Sequence, residues 1–285
     1  MKQNNTADII IIGGGIIGCS IAYNLANQGA KNVVVLEKGE LCSGGTAKSC
    51  AISRSHYSIE ANVHHAVESV KIFENFDDMV GGDPRFTCTG QLVLGQEKHR
   101  PVMESVFSTQ NEYGSETQTL TPAEAAKLHP LLQFEDVDVI GFESRSGYCD
   151  PYSTTIAYAK RAKDLGVKFY TGTPVTGIGI NGVNKTIETR RSDFECSTLI
   201  LAAGPWTHNL GKVLGIKFPY EISKHKVLTL KIGIPYEKDW PIVKDLLTPE
   251  KIYFRPDSGG VVLVGTGDHG EPIEDMEGMR SEEHT

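Results

Sequence analysis

Apolar residues in this chain follow two rhythms. Near the start, Asp8 leads into the unbroken run Ile9–Ile12, and three glycines follow at 13–15. Residues 16–28 (IIGCSIAYNLANQ) then place Ile17, Ile21 and Leu25 at helical spacing, with Ala22 and Ala26 beside them. Gly29 is suited to end that helix, and VVVLEK (33–38) reads as a short, buried parallel strand ending at Glu37. The order over residues 7–38 is therefore strand, glycine turn, helix, strand. Farther along, TGQLVLG (89–95), DVIGF (138–142) and HKVLTLKI (225–232) carry strand periodicity. Thr121-Pro122-Ala123-Glu124 opens a helix with an N-cap, a proline at N1 and an early acid.

The first stretch admits a rival reading, because Ile16-Ile17-Gly18-Cys19 resembles the site where exported lipoproteins are cut and lipidated. An export signal needs a positive segment leading straight into its apolar core. Here QNNTAD separates Lys2 from the apolar run, and glycines interrupt that run. Within strand–turn–helix–strand, Gly13-x-Gly15-x-x-Gly18 has a physical meaning instead. Gly13 permits the tight turn, Gly15 lets a pyrophosphate approach the backbone, and Gly18 lets helix pack closely on strand. The helix start at Ile16 and Ile17 supplies N–H groups and partial positive charge. Glu37, about twenty residues beyond Gly18, is placed for ribose hydroxyls.

Composition narrows the partners. The 285 residues are 39% hydrophobic, enough for one large or two smaller domains. With 28 basic against 36 acidic residues the net charge is −8, which offers no footprint for nucleic acid and no polybasic membrane patch. No apolar run has the length of a membrane span. Six scattered cysteines lack metal-ligand spacing, and reduced thiols in a cytoplasmic protein are the expectation.

The loop SGGTAKSCAISRSHY (43–57) chooses between dinucleotides, since an NAD-binding unit would proceed to another helix and strand. Its hydroxyls, backbone N–H groups and cations suit an extended cofactor, while its composition equally fits an ordinary polar surface loop. Ser43-Gly44, Thr46, Lys48, Ile52 and Arg54-Ser55-His56-Tyr57 resemble the D-amino acid oxidase / sarcosine oxidase family of FAD-dependent enzymes, most of all the sarcosine oxidase β-subunit type. Three later stretches agree in order: 147–178 with its Asp150-Pro151, TLILAAGPWT (198–207), and IYFRPDSGGVVLVGTGD (252–268).

The resemblance implies an α/β fold: a Rossmann-like FAD-binding domain (1–80 and 145–215) with an interleaved antiparallel-sheet substrate domain (81–144 and 216–279). FAD would be lined by Gly13, Gly14, Gly15, Ile16, Ile17, Gly18, Glu37 and Lys38. Ser43, Gly45, Thr46, Lys48 and Ile52 would join from the loop, and Val175, Ala203, Gly204 and Trp206 from later segments. It also implies oxidation of the C–N bond of a small amine or amino acid, with oxygen or another acceptor taking the electrons, and allows a place as one subunit of a hetero-oligomer.

Candidate catalytic groups are Lys48, Arg54, Tyr253 and Arg255, with Lys224 and Lys226 as further carboxylate-binding cations. Each of Arg255, Lys224 and Lys226 also reads as a solvated surface charge. His56 and His225 could approach the site, whereas His64-His65 read as structural or exposed. No histidine stands near Asp150-Pro151 to carry a second flavin, and Cys149 there reads as a buried thiol. RSEEHT (280–285) is what the start of a common sequencing adapter would encode, so a non-native tail on a truncated reading frame is expected. The rivals are a glycerol-3-phosphate dehydrogenase-like flavoenzyme, a non-catalytic FAD-binding subunit and an NAD-dependent dehydrogenase.

Overall fold

A computed structural model describes residues 4–233, 236–267, 270 and 272. The first unit is β1 (Asn4–Ile12), α1 (Ile16–Asn27) and β2 (Val33–Leu36), as the periodicity predicts. After the loop come β3 (Ile52–Ser53), α2 (Glu60–Glu74), α3 (Phe76–Met79), β4 (Thr87–Cys88) and β5 (Gln91–Gly95). The middle of the chain holds α4 (Arg100–Glu112), β6 (Thr117–Thr119), α5 (Pro122–Leu128), β7 (Val139–Glu143), β8 (Gly147–Tyr148) and α6 (Pro151–Asp164). Then follow β9 (Lys168–Tyr170), β10 (Val175–Asn181), β11 (Asn184–Thr189), β12 (Asp193–Leu201) and α7 (Thr207–Leu214). The last strands are β13 (Val227–Lys231), β14 (Ile242–Asp245), β15 (Tyr253–Asp257) and β16 (Val261–Gly265).

These strands form two large sheets. The first runs β10-β11-β12-β1-β2-β9 and is parallel from β12 to β9. Its β2 is buried throughout, which is why VVVL carries no alternation. Helices α1 and α6 cover one face, where Tyr23, Tyr158 and Phe76 meet around Cys19 and Ala22. Asp150 caps α6 by accepting from the Ser153 N–H at 2.6 Å, with Pro151 at N1.

The buried stripe of α1 differs from the expected one. Gly18, Cys19, Ala22, Tyr23 and Ala26 face the core, while Ile17 is 61% exposed. The crossing helix comes too close for branched side chains, so the small residues take the contact and Ile21 and Leu25 pack at its edge. Cys19 is thus a packed core thiol, pushed up to about 12 by burial.

The second sheet runs β13-β16-β15-β14-β5-β7-β6. It is not wholly antiparallel: β14 pairs with β5 in parallel, Ile242 opposite Gln91 and Asp245 opposite Leu94. Two chain segments far apart in sequence meet at that seam, with no hairpin to dictate antiparallel pairing. The helix predicted at 121 is α5, whose Thr121 and Glu124 form a capping box. A small third sheet, β3-β8-β4, joins the loop after β2 to the segment before α6. The proposed tail, 280–285, lies outside the described residues.

His129 follows α5 and is 1% exposed, packed on Trp240 and Phe254 with its Nε2 2.8 Å from Tyr236 Oη. Burial holds its pKa down at about 4. The unfolded chain therefore binds a proton on this ring first, so stability present above pH 6.5 is lost as pH falls toward 4. The loss amounts to about 3 kcal/mol at pH 4. Urea denaturation of the wild type and His129→Phe across that window should show the loss in the first only.

Candidate functional site

The glycine turn is shaped by what cannot be there. Gly13 has φ +119°, its N–H donates to Leu36 O at 2.9 Å, and a Cβ on it would lie 2.3 Å from Ala202 O. A Cβ on Gly18 would lie 1.9 Å from Gly13 O. The two glycines thus let β1, β12 and α1 converge, leaving a turn without side chains at Gly13-Gly14-Gly15 under a helix N-terminus. Such a cradle fits a pyrophosphate of the kind FAD carries.

Glu37, at the end of β2, closes the turn. Its Oε2 accepts from the Gly14 N–H and its Oε1 from the Gly39 N–H, each at 2.7 Å. A carboxylate has about four acceptor positions, so capacity for hydroxyls remains. Thr173 N–H donates to Glu37 O at 2.9 Å, which starts β10 beside Glu37 with Val175 at its head.

The loop after β2 folds back on the same turn. Thr46 Oγ1 accepts from the Ile16 N–H at 3.2 Å and would lie 3.0 Å from a Cβ on Gly15. Lys38 Nζ sits 4.0 Å from the Trp206 ring centre. That ring leans on the loop, where a Cβ on Gly44 would approach it to 3.4 Å. Ser43 stands beside Gly39 and Gly45 opens the 3-10 turn ending at Lys48, while Ala203 and Gly204 follow β12 into the turn that carries Trp206. The sequence-predicted cofactor residues thus gather around the α1 N-terminus. The exceptions are Ile52, which lies on β3 paired with Tyr148, and Lys48, which is exposed.

Beyond the loop, its far half meets one face of the second sheet. Residues alternate across a strand, so Tyr253, Arg255 and Asp257 share that face of β15. Tyr253 Oη lies 3.9 Å from Cys50 Sγ, and burial pushes the phenol up to about 12. Arg255 is 4% exposed and ties sheet to loop. Its Nε donates to Cys50 O at 2.7 Å, its Nη1 donates to Pro256 O at 2.6 Å and meets Asp257 Oδ1 at 3.3 Å, and it lies 4.3 Å over the Tyr148 ring. The expectation of a solvated charge fails here: the guanidinium is buried and already paired with Asp257. Lys224, Lys226 and His225 are exposed, the last just before β13 rather than within it.

Arg54 stacks 4.4 Å over Tyr57 and donates to His56 O. A cation near enough to feel its charge was not among the sequence candidates. Lys244 of β14 donates to Lys251 O at 2.5 Å and lies 5.3 Å from the Tyr253 ring centre. Burial, then repulsion from Arg54 and Lys251, pushes its pKa down to about 8. The only sequence signal was a lysine inside the short apolar strand PIVKDLL.

His56 turns away from this group toward Glu143, 3.5 Å from Nδ1 to Oε1. Cys149 is a buried thiol whose pKa burial raises. His64 and His65 lie exposed on α2. A surface groove of about 740 Å³ beside α2 and α3, floored by Phe73, Phe76 and Phe86, shares none of these residues. No helix of the described residues is long and apolar enough to cross a membrane.

Comparison with known proteins agrees with this geometry. The mouse mitochondrial pyruvate dehydrogenase phosphatase regulatory subunit is 29% identical over 94% of the chain, and rat mitochondrial dimethylglycine dehydrogenase is 27% identical over 92%. The chain spans 31% of the length of each of these relatives. The crystal structure of L-proline dehydrogenase from P. horikoshii superposes with a TM-score of 0.87 at 28% identity, covering 96% of this chain and 73% of that one. The family model described as DAO, FAD dependent oxidoreductase, matches residues 8–284. With its glycine cradle, closing Glu37 and returning loop, the chain belongs to the DAO family of FAD-dependent oxidoreductases.

Proposed function

We propose that this protein oxidises the C–N bond of a small amine bearing a carboxylate, such as sarcosine, dimethylglycine, glycine or a D-amino acid. The observation that carries this reading is the half-buried Lys244 beside Tyr253, whose pKa is pushed down first by burial and then by the nearby Arg54 charge. Such a place favours an anion, and a substrate carboxylate supplies one. FAD, when bound, would supply the acceptor for the hydride equivalent lost from the substrate carbon, and the resulting imine would be hydrolysed by water to carbonyl and amine.

The protein's own part is positioning. Arg54 and Lys244 would hold the carboxylate, Tyr253 would wall the site, and the half-buried setting would exclude bulk water. Dimethylglycine dehydrogenase and L-proline dehydrogenase among the similar proteins support the substrate class by their names. Oxygen or another acceptor would reoxidise the cofactor.

A second reading has its own support, because one of the most similar relatives is named a regulatory subunit. In that reading the chain binds FAD for assembly and oxidises nothing. Anaerobic mixing of the FAD-loaded protein with sarcosine, dimethylglycine, glycine, D-alanine and proline separates the two. Bleaching of the flavin band by a carboxylate-bearing amine, and not by ethylamine, is expected. Failure of every compound to bleach it would favour the regulatory reading.

A further inference from the structure

Glu143 ends β7 and is fully buried, yet no step above uses it. Its Oε2 accepts from the Ser55 N–H at 3.0 Å, from Ser55 Oγ at 3.2 Å and from Ser146 Oγ at 2.8 Å. Its Oε1 faces His56 Nδ1 at 3.5 Å. Burial alone would raise its pKa, but His56 and the hydrogen bonds from Ser146 and Ser55 outweigh that and hold it below the usual carboxylate value. Ser55 is pinned from a second side, since Gln110 Nε2 donates to its hydroxyl at 2.9 Å and Ser115 Oγ lies 2.5 Å away.

A buried carboxylate is costly unless several donors converge on it, so its place identifies what it holds. Two of the three hydrogen bonds it accepts come from Ser55, and its other oxygen stands at ion-pair distance from His56 without a hydrogen bond. Arg54 precedes them directly and in turn donates to His56 O. The contacts form one chain, from the end of β7 through Ser55 and His56 to the Arg54 guanidinium.

We propose that Glu143 is a positioning residue: by gripping Ser55 and His56 it sets where the Arg54 guanidinium lies on the substrate side of the loop. This rests on the reading of Arg54 as a carboxylate-binding cation. Glu143 touches no substrate itself. It acts through the backbone of residues 54–56, which belongs to no strand and links the two-residue β3 to the turn before α2.

The test is titration of the FAD-loaded protein with propionate, an unreactive carboxylate, followed by the change in flavin absorbance, which needs no turnover. Arg54→Gln should weaken propionate binding, and if it does not, the reading of Arg54 falls and the proposal with it. Glu143→Gln keeps the shape but turns a donor toward His56 and removes the charge. It should weaken propionate about tenfold, the loss of one charge-assisted hydrogen bond, with FAD content unchanged. His56→Asn, on a partly exposed ring, should give a similar shift and serves where Glu143→Gln does not fold. In the Arg54→Gln background neither change should add a further loss, because all act through one group. Unchanged affinity in both single variants, or full additivity with Arg54→Gln, would overturn the proposal.

Discussion

Gly18→Ala should yield a folded protein that purifies without FAD. The added Cβ would sit 1.9 Å from Gly13 O, which is backbone and cannot rotate away. Nor can Gly13 retreat, because its N–H is bonded to Leu36 O and Ala202 O lies directly against it. Helix α1 must instead move outward by roughly 1–2 Å to reach ordinary contact, at a cost of about 1–3 kcal/mol. That movement carries the helix N-terminus away from the turn, so the N–H groups no longer converge on a phosphate. A loss of FAD affinity of about 100-fold or more is expected for such a misplacement. The ratio of flavin to protein absorbance after purification, with FAD titration of the apoprotein, measures it. Gly29→Ala is the control: Gly29 has positive φ, +94°, but a Cβ there meets nothing within 4 Å. It should cost about 1 kcal/mol of stability and leave FAD in place. Equal FAD content in both variants would remove Gly18 from the site.

Lys244→Met carries the second large effect. A charge-assisted hydrogen bond contributes about 1.5–3 kcal/mol, so propionate affinity should fall about ten- to 150-fold. The pH dependence tells Lys244 apart from a mere shape change. Its pKa is depressed to about 8, so the ammonium is intact below that value and discharged above it. Wild-type affinity should therefore weaken as pH rises through about 8, and Lys244→Met should lose this dependence. The substitution also relieves the repulsion with Arg54 and the cost of burying a charge, so thermal stability should hold or rise. Lys226→Met, on an exposed side chain, should change neither affinity nor its pH profile. A Lys244→Met protein that binds propionate as the wild type does would assign the carboxylate elsewhere.

Much of the cofactor half was legible without coordinates because its signals are local. Gly13, Gly15 and Gly18 stand within one turn and the start of one helix, Glu37 ends the next strand, and the loop at 43–57 follows at once. Each rests on backbone geometry that neighbouring residues dictate. The error on α1 was also local in origin. Periodicity ranks residues by hydrophobicity, which selects Ile17, but the helix meets its neighbours where small residues allow close approach. Cys19, Ala22 and Ala26 therefore lie inside, and Ile17 lies out.

The substrate half was less legible, because its residues come from separated strands. Arg255 looked like a surface charge or a carboxylate anchor, since nothing nearby in sequence shows Cys50 O or the Tyr148 ring against it. Nothing in the local sequence marks Lys244 beside Asp245, although β14 brings it next to Tyr253 and near enough to Arg54 to feel its charge. The loop sequence leaves open where His56 points, and only the end of β7 shows it facing Glu143.

The sequence by itself determined the strand–turn–helix–strand unit, its glycine turn, the closing carboxylate and the family. These depend on φ, on steric room at Cα and on spacing along one continuous segment. Only the tertiary structure decided which cations lie near one another, which are neutralised and which buried acid hydrogen-bonds to the loop. Pairing β14 beside β5 and β15, and laying the loop across their face, sets distances between residues some two hundred positions apart, and charge interactions depend on those distances and on burial rather than on order in the chain.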